Sequence, residues 1–230
     1  MPIVLRYFNL IVINIIKWFA IKINLSNGKI QLKIHQINFT MVSSHLKKYL
    51  FAKLNFEEKN IEQIVSYFTE KKVKRNQLVL KQGDVCDSVY FVSKGCLQMF
   101  TLNSQKKEIV RDFVTENCWC LELISFKNNT PSTENIRALE NSTLYAINKS
   151  NYNSLINEVK VFDRIYKEIL ETSYENSVYR VNIFNTLSPL EKMKWMKEYR
   201  PKLFKRLSKK IICQFLGIEL EIYSKLIGLI

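Results

Sequence analysis

Residues 118–146 read CWCLELISFKNNTPSTENIRALENSTLYA, and this stretch divides two kinds of sequence. The chain before it reads as short strands leading in, and the chain after it reads as helices leading out. Within it a strand ends in a lone acid, Glu122, a short helical turn and a polar loop surround Pro131, and a second strand runs from Asn135 to Leu139. A loop of that shape can cradle a small anion. Whatever this protein senses, it is expected to sense here.

Working back from the loop, the apolar period is two. Gln77 to Leu80, Ser88 to Val92, Leu97 to Leu102 and Glu108 to Val114 are short runs rich in β-branched and aromatic residues. Gly83-Asp84 and Lys94-Gly95 punctuate them, as hairpin turns need residues tolerant of positive φ. Many short strands with regular turn signals predict a barrel or roll. Ahead of them, Leu46, Tyr49, Leu50 and Leu54 repeat at helical spacing, and Ile61, Ile64, Val65 and Phe68 predict a second short helix with acids near its start.

Working forward, Lys149 to Asn157 reads as a helix, and Val159 to Phe184 as one long helix without Gly or Pro. Phe162, Ile165 and Ile169 form an apolar stripe, Ser173 and Asn176 continue it with polar groups, and Val178 and Val181 restore it. That pattern fits a two-helix dimer seam, weak at its middle, or a face packed on its own domain. Leu187-Ser188-Pro189-Leu190-Glu191 then combines an N-cap, a proline at the first helical position and an acid three residues after the cap, marking a new domain. Ser208 precedes a helix, Gly217 stands in a tight turn, and another helix starts near Glu219. Helix, glycine turn, helix within about twenty residues is the helix-turn-helix pattern.

The formal net charge is +14 over 230 residues. Residues 41–186 hold 20 basic against 17 acidic side chains, while residues 187–230 hold 10 against 4. The excess therefore falls at the ends, and a basic tail suits a phosphate-backbone binder, with a solvated lysine-rich surface as the alternative. Five cysteines at irregular spacing suggest no disulfide framework and fit a reducing compartment, so a cytoplasmic location is expected. His35 and His45 lie far from the Cys118/Cys120 pair, so neither a metal nor a cofactor is expected. Nothing in the chain has the spacing of a nucleophile with its base, a P-loop or a dinucleotide fingerprint, and a non-enzyme is expected.

Residues 1–40 differ from the rest, being Ile- and Asn-rich, free of acids and without a regular period. Their apolar run, Tyr7 to Ile16, is half the length of a spanning helix, so no stable membrane insertion is expected. They read as a weak surface anchor, an extra packed element, or translated sequence ahead of a start at Met41. The last is favoured because Met41-Val-Ser-Ser opens a well-patterned helical segment. The domains expected are thus 1–40 as an extension, 41–157 as a roll, 158–186 as a connecting helix and 187–230 as the helix-turn-helix.

Gln82-Gly83-Asp84-Val85-Cys86-Asp87-Ser88-Val89-Tyr90-Phe91-Val92, followed by Lys94-Gly95, resembles the roll signature of the Crp/Fnr superfamily of bacterial transcription regulators. Ile212-Cys213-Gln214-Phe215-Leu216-Gly217-Ile218 is similar to its helix-turn-helix signature. The resemblance spans Met41 to Ile230 and implies an α+β fold: an antiparallel, cyclic-nucleotide-binding-like β-roll, a long dimerisation helix and a small helical DNA-binding domain. It implies a homodimer on double-stranded DNA, with Phe162, Ile165, Ile169, Val178 and Val181 at the dimer contact and Lys209, Lys210, Tyr223, Ser224 and Lys225 toward DNA. In the family's cyclic-AMP cassette an acid holds the ribose and an arginine the phosphate. By resemblance the ligand positions are Glu122, Ser132 and Thr133, with Ser132 standing where that arginine belongs. A serine cannot supply a charge-assisted, bidentate donor, and Arg137, at an odd offset, points to the opposite face. The chain is therefore expected not to respond to cyclic AMP, and an unknown small-molecule effector remains open. The recognition helix also departs from the family, opening with Glu219, Leu220 and Glu221 and ending in Ile227 to Ile230. A ligand-sensing or protein-interaction module with a degenerate DNA head is the alternative.

Overall fold

In the computed structural model, residues 44–54 and 58–230 are described, within a unit spanning Met41–Ile230. The expectations for residues 1–40 lie outside the described residues. Two short helices, α1 (Ser44–Leu54) and α2 (Glu58–Ser66), lead into eight strands: β1 (Thr69–Val73), β2 (Leu78–Leu80), β3 (Ser88–Lys94), β4 (Leu97–Leu102), β5 (Glu108–Val114), β6 (Trp119–Cys120), β7 (Asn135–Ala138) and β8 (Ser142–Asn148). The strands form two four-stranded antiparallel sheets, ordered β1-β8-β3-β6 and β2-β7-β4-β5, which face each other as the expected roll.

Side chains that alternate inward from both sheets make the core. Phe91, Leu97, Ile136, Leu144 and Ile147 are fully buried there, each contributing about 1.5–3 kcal/mol through removal of apolar surface from water. Leu46 and Leu50 of α1 and Ile61 and Ile64 of α2 close one side. The helical expectation for Phe68 fails at its end: α2 stops at Ser66, and Phe68 packs its ring against Trp119 and Phe162 instead.

Between the sheets' strands lies α3 (Leu123–Asn128). After β8 come α4 (Lys149–Glu158), a 3₁₀ turn (Lys160–Phe162) and the long α5 (Asp163–Thr186), so the single helix expected from Val159 is broken at its start. Four helices follow: α6 (Pro189–Tyr199), α7 (Pro201–Arg206), α8 (Lys209–Leu216) and α9 (Leu220–Leu226). Ser188 and Glu191 form the capping box read from the sequence, Ser188 Oγ accepting from the Glu191 amide and Glu191 accepting from the Ser188 amide. Gly217 at φ +65° terminates α8 in the left-handed conformation that glycine tolerates without steric cost.

These last helices build a second core that includes one patch of the roll. Met193, Met196, Ile212, Phe215 and Leu216 pack with Cys96, Val110 and Phe113, and the Phe113 and Phe215 rings lie 5.1 Å apart. The outer face of the second sheet is therefore covered by the C-terminal helices, a large apolar contact of the kind that holds two parts of a chain together. Among the described residues no helix is long and apolar enough to cross a membrane.

Candidate functional site

Glu122 begins the loop that the sequence marks out. Its carboxylate caps α3, accepting from the amides of Ile124 at 3.1 Å and Ser125 at 2.9 Å, and it is buried. Both oxygens are thus engaged with the loop's own backbone, which satisfies two donors that a helix start otherwise leaves open. Ser125 Oγ accepts from the Cys86 amide at 2.8 Å and donates to the Thr130 carbonyl, tying the loop to the segment just ahead of β3. Ser132 is buried too. Its hydroxyl accepts from the Glu134 amide at 3.1 Å and donates to the Glu134 carbonyl at 2.9 Å, while its backbone exchanges hydrogen bonds with Gly83 and Asp84. The Gly83-Asp84 turn and the loop at Pro131-Ser132 are in this way one backbone unit.

Thr133 is exposed, because successive residues of an extended segment face opposite sides and Ser132, Glu134 and Ile136 take the inside. Of the three ligand positions read from the sequence, Glu122 and Ser132 are buried and Thr133 faces the other side. Arg137 points outward as expected. It forms a bidentate pair with Glu108, at 2.7 Å for each bond, donates to Gln98 at 2.8 Å and lies over the Phe100 ring.

An arginine that the sequence reading missed does reach the loop. Met99 pairs with Asp112 and Phe100 with Val110, so Arg111 is the extra residue of a β-bulge in β5. The bulge re-aims its side chain, which stays 39% exposed, so that the guanidinium meets Glu134 at 2.5 Å and the Met99 sulfur at 3.2 Å. Burial opposes this charge, but the adjacent Glu134 outweighs it and holds the Arg111 pKa above its usual value. Glu134 is an internal carboxylate whose partner among the described ion pairs is Arg111. An incoming cyclic phosphate would compete with it. The available signal was the Arg111-Asp112 pair, two charges in a row where period two predicts alternation.

A cavity of about 820 Å³ opens beside this pair. Met99, Arg111, Trp119 and Leu121 of the roll line one part. Ile169, Thr172, Ser173, Asn176 and Arg180 of α5 line another, and Tyr199 and Arg200 of the C-terminal helices a third. The polar interruption of the α5 stripe at Ser173 and Asn176 therefore faces this cavity. Phe162, Ile165 and Ile169, assigned from the sequence to a dimer seam, are instead buried in the roll's own core. A helical stripe records that something covers it, not what. Val178 and Val181 do remain exposed, and with Tyr174 they form a stripe at spacings of four and three on α5.

Ion pairs fasten the C-terminal helices to the roll. Arg200 meets Asp112 at 2.8 Å, next to the bulge. Arg206 forks between Glu116 and Glu140, and Glu116 also accepts from the Gly95 amide at 2.9 Å. The Arg206 hydrogen bonds, opposed by partial burial, pull the Glu116 carboxyl down to about 2.

On α8, Lys209 and Lys210 are exposed. On α9, Lys225 pairs with Glu221 at 2.7 Å and the Ser224 hydroxyl donates to the Leu220 carbonyl, both at the surface. Tyr223 is 3% exposed and sits in the second core, so its placement toward DNA is corrected: an amphipathic helix of seven residues spends its inward position on packing. Among the described residues no three His, Cys, Asp or Glu side chains gather as a metal set. All five cysteines are free, and burial pushes the Cys96 thiol up to about 12, away from thiolate chemistry.

Comparison with known proteins agrees with this architecture. Residues 70–159 match the family model of the cyclic nucleotide-binding domain. Among solved structures, the c-di-GMP-responsive global regulator CLP of Xanthomonas campestris is similar at TM-score 0.63 and 14% identity, over 75% of this chain and 90% of that one. A transcriptional regulator of the Crp/Fnr family from Eubacterium rectale is similar at TM-score 0.60 and 15% identity, over 79% and 86%. The catabolite activator protein of Thermus thermophilus is similar at TM-score 0.51 and 16% identity, over 78% and 85%. Residues 70–159 thus resemble a cyclic nucleotide-binding domain, and the chain has the fold of these regulators.

Proposed function

We propose that this protein is a cytoplasmic, homodimeric, DNA-binding transcription regulator of the Crp/Fnr type that does not respond to cyclic AMP. It acts by binding and not by catalysis. The observation that carries the first part is the succession, on one chain, of the roll and a capped helix, a Gly217 turn and a second helix, with Lys209 and Lys210 exposed at the start of the pair. Exposed lysines at a helix start suit phosphate contacts, which give affinity and orientation without reading bases. The stripe of Tyr174, Val178 and Val181 offers α5 a surface for a second copy, which would set two such helix pairs roughly one DNA turn, about 34 Å, apart.

The cyclic-AMP part rests on the loop. Ser132 turns its hydroxyl onto Glu134, Glu122 is engaged with α3, and the nearby cation Arg111 already has Glu134 for a partner. A buried phosphate without a cationic partner is strongly disfavoured. An effector of another kind is therefore proposed. A gel-shift titration tests the DNA-binding part: duplex binding that weakens steeply with salt is expected, and absence of binding at low salt removes the proposal.

A second reading, a ligand-sensing or protein-interaction module, is favoured by the outward face of α9. There Glu219 and Glu221 are exposed beside Leu220 and Ile222, and Lys225 is engaged with Glu221. Small-molecule binding together with no duplex binding in the same preparation would select it.

A further inference from the structure

The cavity mixes two chemistries. Trp119, Leu121, Met99 and Ile169 give it apolar and aromatic lining, and Arg180, Arg200 and Lys202 give it cationic lining. Counting Arg111, four cationic side chains line it against two carboxylates, Asp112 and Glu168. Most of these charges are accounted for. Arg111 is paired with Glu134, Arg200 with Asp112, and Glu168 accepts from the Tyr49 hydroxyl at 3.5 Å.

Arg180 differs from them. Its guanidinium stacks on Phe184 and Phe215, and one nitrogen donates to the Val110 carbonyl at 3.4 Å, but no carboxylate pairs with it among the described residues. Its Nη1 is buried with no hydrogen-bond partner among those residues. Burial, opposed by the nearby Asp112 and reinforced by Arg111 and Arg200, draws the Arg180 pKa below its usual value. A partly buried guanidinium with one buried nitrogen left open is costly, and an anion delivered to that nitrogen removes the cost. The volume lies within the range typical of small-molecule sites, roughly 300–1,000 Å³, which combine apolar lining with a few placed polar groups.

We propose that this cavity is the effector site and that it takes a small organic anion with an aromatic body, its charged group on Arg180 and its rings toward Trp119 and Leu121. The inference deepens the effector part of the function proposed above. Its site is the junction of roll, α5 and C-terminal helices, and not the loop of Glu122 and Ser132. A ligand there touches all three parts at once, so its binding is coupled to how firmly the C-terminal helices dock.

The test uses the full chain and 8-anilinonaphthalene-1-sulfonate, whose fluorescence rises in an apolar site, with N-phenyl-1-naphthylamine as the same ring system without the sulfonate. One sulfonate per chain is expected, bound at least about tenfold more tightly than the neutral amine, as a charge-assisted contact requires. Arg180→Met should weaken the sulfonate by about tenfold or more and leave the amine unchanged. Asn176→Phe, which fills the cavity from α5 without touching the charge, should abolish both. Equal binding of the sulfonate to wild type and Arg180→Met at matched unfolding temperature overturns the proposal. Should Arg180→Met unfold early, Asn176→Phe decides: undiminished sulfonate binding by that variant also overturns it. The assay contains no DNA, so its failure alongside retained duplex binding removes only this inference, and the reverse pattern removes only the DNA-binding one.

Discussion

Replacing Arg206 with Met should loosen the C-terminal helices from the roll by a calculable amount. Arg206 donates to Glu116 at 2.8 and 3.0 Å and to Glu140 at 3.1 Å, with a further short contact to Glu140. It therefore bridges the turns after β5 and β7 to α7. Were these bonds fully buried, each charge-assisted contact would be worth about 1.5–3 kcal/mol. They are not: the three side chains are between 29% and 39% exposed, and exposed pairs return only about 0.2–1 kcal/mol. Two forked pairs sharing one arginine then give about 1–2 kcal/mol. Methionine keeps most of the apolar stem, so the loss is electrostatic. In a domain of this size that predicts a fall in unfolding temperature of roughly 2–8 °C at low salt. The difference should shrink in molar salt, because half-exposed pairs are screened. Arg206→Lys should fall between the two, since an ammonium keeps the charge but lacks the planar paired donors that meet each carboxylate with two bonds. The assay is thermal unfolding by circular dichroism at two salt concentrations. An Arg206→Met protein as stable as wild type at low salt, or a difference that persists unchanged in molar salt, would refute the reasoning.

Further outcomes follow from neighbouring residues. Glu116 has its folded pKa depressed to about 2, so its contribution to stability is complete above the unfolded value near 4.5 and is lost as pH falls from there toward 2; Glu116→Gln should flatten stability over that window in acid unfolding curves. Gly95 holds φ +113°, and an added Cβ would lie 2.1 Å from Ser142 Oγ, so Gly95→Ala should cost about 2–5 kcal/mol in urea unfolding, with partial recovery in the double variant carrying Ser142→Gly. Ser132→Arg should leave cyclic AMP unbound in calorimetry, because the new charge meets Glu134 already paired with Arg111; tight binding by this variant would show that Ser132 is the sole defect. Lys209→Ala and Lys210→Ala should weaken all duplexes alike and each reduce the salt slope by about one, while Lys225→Ala should change discrimination between duplexes more than overall affinity.

The strands that were read correctly are those with strong strand composition between turn signals. Leu97–Leu102 and Glu108–Val114 begin and end where β-branched and aromatic residues meet turn residues. By contrast, β1 escapes because Thr69 to Lys72 are all exposed and only Val73 is buried, so an edge strand leaves almost no apolar alternation to detect. β8 lies between β1 and β3, and its seven residues, Ser142 to Asn148, follow the polar turn at Glu140-Asn141 too closely for the run to stand out. The turn chemistry at Gly217 and the box at Ser188 are local and needed no tertiary knowledge.

The site was legible only where it depends on position along the chain. Ser132 facing inward and Arg137 outward follow from the alternation of an extended segment, and the structure agrees with both. Arg111 was hidden by the bulge, a one-residue insertion that reverses which side chains face in. Arg180 and Arg200 meet at the cavity across long sequence separations, and no spacing rule joins them. The helix stripe at Phe162, Ile165 and Ile169 had two readings, own core or partner, and burial selects the first. Tyr223 was misplaced because its motif position says nothing of which face the helix turns inward.

The central claim is that this roll serves a DNA-binding regulator whose loop no longer reads cyclic AMP. The measurement that bears on it most directly is a fluorescence-anisotropy titration of labelled duplex with the full chain, at low salt, with and without millimolar cyclic AMP. The account predicts binding, with the same midpoint in both titrations. A midpoint shifted tenfold by cyclic AMP would contradict the reading of Ser132 and Glu134, and no binding in either titration would contradict the DNA-binding function itself.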